Sequence, residues 1–222
     1  MSSNPSKREP SRRRLIVLLA GVAGLAVAAA AIGLAARSTE PRRPYRGSEP
    51  PARIMLPPFA LTSYRGTPVA SRALAGKVVL LTILDAQCTD VCPILASVVA
   101  RTIDRLTAEE RREVRALAIT GDPAEDTPEA VLRFLADRRA VGRLDYLLGT
   151  EGELRPLWTA LQILPSLDSG RDSLHSAPLR VYGRDGVWVT TLHVGADLTE
   201  ENLLHDIRAA LAAGRKTERY AT

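Results

Sequence analysis

Apolar and polar positions divide the chain into one long apolar run and a later stretch of alternating strand-like and helix-like patterns. The run from Leu15 to Ala36 has 22 residues and no charged side chain. From residue 56 onward, short runs of β-branched residues and leucine alternate with segments whose apolar residues recur at helical spacing. The pattern therefore predicts a membrane or targeting segment followed by an α/β domain.

The alternating stretch predicts five strands and four helices. The final helix is expected to begin after Thr199 and to end before Gly214, because glycine is common just past a helix C-terminus. Another helix has Thr127 as its N-cap and Pro128 at its first position. The predicted strands are 77–85, 114–120, 144–148, 179–182 and 187–192, and the predicted helices are 91–106, 128 onward, 151–161 and 199–213.

The two cysteines of the chain lie four positions apart, in the sequence Cys88-Thr89-Asp90-Val91-Cys92-Pro93. Two cysteines are too few for a disulfide scaffold and indicate one redox pair or one metal site. They directly follow the strand 77–85, and functional groups of α/β folds collect at the carboxyl ends of strands. If the next helix begins near Thr89, Cys88 lies at its positive end, which favours a thiolate.

A cysteine pair at a strand-to-helix junction, with two strands and a helix closing the chain, is typical of a thioredoxin-like domain. The predicted fold is α/β, with a central mixed sheet and helices on both faces, behind one N-terminal transmembrane helix. The predicted organisation is a basic cytoplasmic N-terminus 1–14, an anchor 15–36, a proline-rich linker 37–55, the domain 56–213 and a C-terminal tail 214–222.

The apolar run is long enough to cross a bilayer, because 22 residues at 1.5 Å each give a helix of about 33 Å. Lys7, Arg8 and Arg12 precede it, so the N-terminus is expected to stay in the cytoplasm. A cleaved signal peptide is the alternative, although its apolar region would normally be shorter. Either way we expect the domain on the extracytoplasmic side of the cell membrane, where a close cysteine pair can oxidise.

The positive charge of the chain belongs to its N-terminal segment. The net charge is +5, but residues 1–53 carry ten basic and three acidic side chains. The remaining residues carry 20 basic and 22 acidic side chains. A nucleic-acid-binding domain would need a basic face of its own, so nucleic acid is not an expected partner.

The cysteine pair alone leaves its chemistry open. Two thiolates select Cu(I), or zinc together with further ligands, and three intervening residues still permit a disulfide. The chain has three histidines: His175 in a polar loop, His193 at the end of a strand and His205 in the last helix. A lone histidine is usually structural or solvated, so composition does not choose among them.

Four segments in order resemble the Sco/SenC family of copper-binding assembly proteins. They are Pro58–Leu61 with Gly76-Lys77, the motif Cys88–Pro93, the acidic segment Thr120–Glu129, and His175-Ser176 ahead of a strand and an Asp-Gly turn. The resemblance covers roughly residues 56–212. The sequence departs from the family just before the cysteines, at residues 83–87, and before the histidine, at residues 172–174.

The resemblance implies that Cys88, Cys92 and His175 bind copper, as Cu(I), Cu(II) or both. It also implies an assembly factor rather than an enzyme, whose partner is the cytochrome c oxidase subunit carrying the copper site or another copper-accepting protein. Cys88 and Cys92 are also predicted to be a redox-active pair, since oxidation to a disulfide would remove two ligands at once.

The alternative function is a membrane-anchored thiol–disulfide oxidoreductase acting on exported proteins. Such a protein needs Cys88 and Cys92 but has no use for His175. A thiol peroxidase would need an activating arginine beside its reactive cysteine, and the sequence shows no such motif. The spacing of the cysteines, Pro93 and the His175-Ser176 segment favour the copper chaperone.

Overall fold

The computed structural model describes residues 44–162 and 178–219. The predicted N-terminus and anchor, residues 37–43 of the predicted linker, and the loop that holds His175 lie outside these ranges. Within them, no helix combines the length and the apolar character that a membrane span requires.

Seven strands and five helices make up the described residues. The strands are β1 (Ala60–Ser63), β2 (Pro68–Ala70), β3 (Val78–Leu84), β4 (Val114–Thr120), β5 (Asp145–Leu148), β6 (Leu179–Tyr182) and β7 (Trp188–Leu192). The helices are α1 (Val91–Asp104), α2 (Ala108–Glu113), α3 (Pro128–Asp137), α4 (Glu151–Ala160) and α5 (Glu200–Arg219), with a short 3-10 turn at Ser71–Leu74.

The strands form one mixed sheet in the order β2-β1-β5-β4-β3-β6-β7. Strands β3, β4 and β5 are parallel, and the other neighbouring pairs are antiparallel. The register of the central pair runs from Val78 opposite Val114 to Leu84 opposite Thr120. The amino ends of β3 and β4 therefore meet at one edge of the sheet, and their carboxyl ends at the other.

Helices cover both faces of this sheet, as the sequence predicts. Every residue of β3 is buried, and its side chains alternate between two apolar clusters. One cluster joins Val78, Leu80 and Leu84 to helices α1, α3 and α5, and the other joins Val79, Leu81 and Ile83 to α4 and β1. The predicted α/β class with a central mixed sheet is confirmed.

The predicted end of the last helix is wrong. Helix α5 passes through Gly214 and continues to Arg219. Gly214 does not have the positive φ that ends many helices. A methyl group at this position would overlap the side chain of Arg184, so the glycine gives room for a packed neighbour.

Part of the predicted linker lies against the domain. Ser48 exchanges backbone hydrogen bonds of 2.8 and 2.9 Å with Thr191 in β7. The backbone N–H groups of Arg46 and Gly47 donate to the carboxylate of Asp206 in α5, at 2.7 and 3.0 Å. Asp206 is fully buried. The segment is therefore held by these bonds from residue 46 onward, ahead of the predicted domain start at 56.

Gly47→Ala is expected to destabilise the domain, and Gly152→Ala to stabilise it. A methyl group on Gly47 would overlap the backbone oxygen of Thr191, whereas Gly152 in α4 has open space around it. We expect Gly47→Ala to lower the free energy of unfolding by about 1–3 kcal/mol. Gly152→Ala should raise it by roughly 0.5–1 kcal/mol, since alanine favours helix. Urea titrations measure the free energy of unfolding of both variants. Equal changes in the two would contradict the packing of residues 46–48 against β7 and α5.

Candidate metal centre

The cysteine pair follows the carboxyl end of β3, where the sequence predicts it. Helix α1 begins at Val91, so Cys92 is its second residue. The predicted start of this helix at residue 91 is confirmed, and Cys88 lies three positions before it. Cys88 is in a turn stabilised by Asp85, whose side chain accepts from Gln87 N–H at 2.6 Å and whose carbonyl accepts from Cys88 N–H at 3.2 Å.

The two sulfur atoms share a hydrogen bond. Cys88 is half-buried and Cys92 fully buried, and neither is in a disulfide. The thiol of Cys92 donates to the sulfur of Cys88, which also accepts from the backbone N–H groups of Cys92 and Asp90. Together these donors lower the pKa of Cys88 to about 6, although burial acts in the opposite direction.

The pKa of Cys92 shifts in the opposite direction. Its hydrogen bond to Cys88, followed by its burial, raises the pKa of Cys92 well above the usual range of a thiol. The pair is therefore one thiolate and one thiol at neutral pH, with a single proton between the sulfur atoms. A soft metal ion that binds both sulfurs has only that one proton to displace.

The alkylation rate of Cys88 is expected to reach half its maximum near pH 6, because only the thiolate reacts and its pKa is about 6. Cys92→Ala removes the thiol that is the main cause of this low value. We expect the midpoint of this variant to rise toward the usual value of about 8.5. Cys92→Ser keeps a hydroxyl donor, so its midpoint should shift less. Iodoacetamide labelling read by mass spectrometry measures all three profiles, and an unchanged midpoint in Cys92→Ala would contradict the shared hydrogen bond.

A buried carboxyl group lies directly behind the cysteine loop. Asp126 is 3% exposed, and its Oδ1 accepts from the backbone N–H of Ala86 at 2.8 Å. Its Oδ2 lies 2.5 Å from the hydroxyl of Thr120 and 2.7 Å from that of Tyr146. Asp126 thus connects the loop that carries Cys88 to the carboxyl end of β4.

The number of protons available for the hydrogen bonds around Tyr146 favours the protonated form of Asp126. The Tyr146 hydroxyl lies 2.7 Å from both Asp126 Oδ2 and the carbonyl oxygen of Leu84, but it has one proton to donate. If Asp126 is protonated, it donates to Tyr146, and Tyr146 donates to Leu84. Burial raises the pKa of Asp126 to about 6, although its hydrogen bonds from Thr120, Tyr146 and Ala86 favour the ionised form.

The sequence gives no sign of Tyr146 or of a role for Thr120, and it predicts that Asp126 either tunes the site or contacts a partner, or is a solvated loop acid. Because Asp126 is buried, it is not a solvated loop acid. Asp126 and Tyr146 are 20 positions apart and meet only because β4 and β5 are neighbours. The one signal in the sequence is that Asp126 belongs to the segment Thr120–Glu129.

The described histidines have structural partners. His193 donates its backbone N–H to Asp197 at 2.6 Å, and its carbonyl accepts from three N–H groups of the following turn. The ring of His205 lies 2.9 Å from the buried carboxylate of Asp206. His175, the predicted ligand, lies outside the described residues, so its position relative to the cysteines stays a prediction.

The donor set fits a soft ion. Within residues 44–162 and 178–219, no group of three or more cysteine, histidine or acidic side chains is placed to hold a metal ion. The described part of the site is thus two sulfur atoms alone, which suits Cu(I) better than zinc, since zinc takes four ligands in structural sites. The predicted third ligand, His175, lies outside the described residues.

Comparisons with known proteins identify the family of this chain. Residues 47–212 match the family model SCO1/SenC. A protein of Stutzerimonas stutzeri named for copper binding is 30% identical over 142 residues, which cover 61% of this chain and 68% of that protein. The structure of ScoI from Bradyrhizobium japonicum with copper bound is 26% identical, with a TM-score of 0.54 over 73% of this chain and 98% of its own.

A further solved structure shows the fold. BsSco, described as a member of the Sco family of cytochrome c oxidase assembly proteins with a disulfide switch, has a TM-score of 0.62 at 20% identity. The match covers 74% of this chain and 98% of that one. The family model spans well over half of the 222 residues, from the segment docked on β7 to helix α5. This chain therefore belongs to the SCO1/SenC family.

Proposed function

We propose that this chain is a membrane-anchored, extracytoplasmic copper chaperone that helps assemble the copper site of cytochrome c oxidase. Cys88, Cys92 and His175 bind the copper, and the partner is the oxidase subunit that carries the site or another copper-accepting protein. The observation that carries the proposal is the pair of hydrogen-bonded sulfur atoms at the end of β3. The copper-binding relative and the copper-bound ScoI support the choice of metal.

The difference in burial between the cysteines gives them different roles in transfer. Cys88 is half-buried and can meet the ligands of an acceptor, whereas Cys92 is covered by the domain. An incoming thiolate or imidazole therefore replaces Cys88 while Cys92 still holds the ion, so that copper moves by ligand exchange. Copper is the cargo in this scheme, and the chain performs no reaction on it.

The anchor is residues 15–36, which places the domain on the extracytoplasmic side of the cell membrane. Its support is the 22-residue apolar run with basic residues before it. If the anchor is retained, the full chain should stay in the membrane pellet after washing with alkaline carbonate. Release of the chain into the supernatant would contradict it.

One observation favours a second function, that of a thiol–disulfide oxidoreductase. A low-pKa, half-buried Cys88 beside a buried Cys92 thiol is also the arrangement of an attacking and a resolving cysteine. The thiolate of Cys88 would attack a disulfide of an exported protein and release one thiolate. Cys92 would then displace the second one, leaving a Cys88–Cys92 disulfide and a reduced substrate.

A copper-free oxidase domain with a dinuclear copper site, prepared in dithiol and disulfide forms, separates the two functions. The chaperone predicts that Cu(I) passes from the loaded full chain in detergent to the dithiol form without any change in thiol count. The oxidoreductase predicts that the copper-free chain reduces the disulfide form one to one. Absence of copper transfer to the dithiol form would contradict the chaperone proposal.

A further inference from the structure

A groove lined by three arginines lies at the amino end of the central strands. Arg111 and Arg112 are in the last turn of α2 and Arg115 is the second residue of β4, and with Ala108 they line a cavity of about 550 Å³. All three arginines are exposed. Because Val114 pairs with Val78, this groove lies at the end of the sheet opposite to the one that leads into Cys88.

Three of the four carboxylates beside the groove already have other partners. Among residues 44–162 and 178–219, no ion pair involves Arg111, Arg112 or Arg115, and Arg111 instead reaches the backbone carbonyls of Asp104 and Leu106. Three acids pair elsewhere: Asp104 with Arg143 at 2.7 Å, Glu110 with Arg208 at 2.8 Å, and Glu113 with Arg184 at 2.8 Å and Lys77 at 3.5 Å. Glu109 is the fourth acid and is exposed in α2, so the three arginines keep an excess of positive charge that is available to an external anion.

The chain meets the domain beside the middle of α5 and β7, and the side chain of Tyr45 extends toward the groove end. Tyr45 lines a cavity together with Arg184, and Arg184 forms an ion pair with Glu113, the last residue of α2. Residues 37–43 separate this point from the apolar run 15–36, and seven residues reach at most about 25 Å when extended. If the run is the proposed anchor, this reach keeps the domain close to the bilayer surface.

The opposite end of the domain has the opposite charge. Asp90 lies between the two cysteines, and Glu125 and Glu129 lie just after β4 and at the start of α3, with all three exposed. An anionic surface repels these carboxylates and attracts the arginines. The distribution of charge therefore favours one orientation of the domain at such a surface.

We propose that the groove of Arg111, Arg112 and Arg115 binds the phosphate groups of anionic lipids and thereby points Cys88 away from the membrane. Guanidinium groups bind phosphate oxygens in a bidentate manner. Each arginine near an anionic bilayer strengthens binding by about fivefold at moderate salt. The inference rests on the proposed anchor, and it adds that the anchored domain has a defined orientation in which the copper site faces an acceptor above the membrane.

The test uses the full chain in nanodiscs of phosphatidylcholine alone or with phosphatidylglycerol added. Phenylglyoxal modifies accessible arginines, and mass spectrometry measures the rate at each one. We expect the three groove arginines to react about tenfold more slowly in the anionic discs, and this protection to disappear in high salt, where charges are screened. Arg133, exposed on α3 outside the groove lining, is the internal control and should react equally in both discs.

A pair of variants separates the groove from a general charge effect. Arg112→Glu combined with Arg115→Glu should abolish the protection of Arg111 in anionic discs, whereas Arg133→Glu should leave it intact. Equal rates at Arg111 in both kinds of disc, with the chain still bound to them, would overturn the inference and leave the anchor standing. Release of the chain from the discs would overturn both.

A third arm distinguishes the lipid from a soluble anion. Inorganic phosphate is added to the chain in neutral discs at the concentration of anionic lipid used in the other arm. Protection of the groove arginines by phosphate to the same extent would contradict a membrane surface and assign the groove to a small phosphate compound. The lipid proposal expects weak protection there, because a bilayer presents many phosphates at once.

Discussion

Replacing Cys88 by serine is expected to lower the Cu(I) affinity of the reduced protein by at least about a hundredfold, since even the loss of an outer-shell partner costs ten- to a hundredfold. The sulfur of Cys88 is one of the two sulfur atoms in the part of the site that the structure describes. A serine hydroxyl stays protonated and is a hard ligand, which a soft ion such as Cu(I) does not prefer. Anaerobic competition against a chromogenic Cu(I) chelator measures the change.

Thr89→Ser is the matched control for this variant, because Thr89 is exposed and lies between the two cysteines. It should bind copper as the wild type does. Cys88 is half-buried, so its serine variant should also unfold at nearly the wild-type temperature, which separates loss of a ligand from loss of the fold. Wild-type affinity in Cys88→Ser would show that this sulfur does not bind the metal.

Asp126→Asn is expected to stabilise the domain at pH 8 and to remove a loss of stability that the wild type shows between about pH 4 and pH 6. The pKa of Asp126 is raised to about 6 in the folded protein, against about 3.9 in an unfolded chain. The folded state therefore binds more protons than the unfolded state in this window. Its stability is full below pH 4 and falls by about 3 kcal/mol as the pH rises through 6.

The asparagine at position 126 can keep most hydrogen bonds of the neutral acid. Its carbonyl accepts from Ala86 N–H, and its amide group donates to the oxygen of Tyr146, but the hydroxyl of Thr120 loses the oxygen to which it donates. Tyr146 then donates to the carbonyl of Leu84. No charge is buried at position 126 at any pH, so the pH-dependent loss disappears, and the gain at pH 8 exceeds the cost of one lost hydrogen bond of about 1 kcal/mol.

Urea unfolding at a series of pH values between 4 and 8 measures this effect. Asp122→Asn is the control in the same loop, because Asp122 is partly exposed and its carboxylate accepts from the backbone N–H groups of Ala124 and Glu125. It should keep the wild-type pH dependence. If the free energy of unfolding of Asp126→Asn changed with pH as that of the wild type does, or were clearly lower than the wild-type value at pH 8, a protonated Asp126 below pH 6 would be contradicted.

The long elements of the fold could be predicted because each has a strong local signal. Strand β3 consists of β-branched residues and leucine and is buried at every position since both of its faces are covered, and α3 has its cap and its proline in the expected places. Strands β1 and β2 have four and three residues, and β2 begins with a proline, so their pairing was not predicted from pattern. Gly214 suggests a helix end, because glycine is common there. The prediction failed because the packing of Gly214 against Arg184 has no signature in the sequence.

The candidate site could be predicted in part. The position of Cys88 and Cys92 at a strand end follows from the run before them. The proton shared by the two sulfur atoms cannot be predicted from the sequence, because it depends on the turn that Asp85 stabilises and on the burial of Cys92. The network of Asp126 and Tyr146 needs two neighbouring strands, which no local pattern specifies. His175 comes from the family resemblance and stays a prediction.

The most direct test of the account is the Cu(I) affinity of His175→Ala beside that of His193→Ala, measured in the reduced full chain without oxygen. His193 is a matched histidine with a structural role in the turn after β7. We expect one tightly bound equivalent of Cu(I) in the wild type and in His193→Ala, and an affinity at least about tenfold lower in His175→Ala. Equal affinity in the wild type and His175→Ala would contradict a copper site made of Cys88, Cys92 and His175.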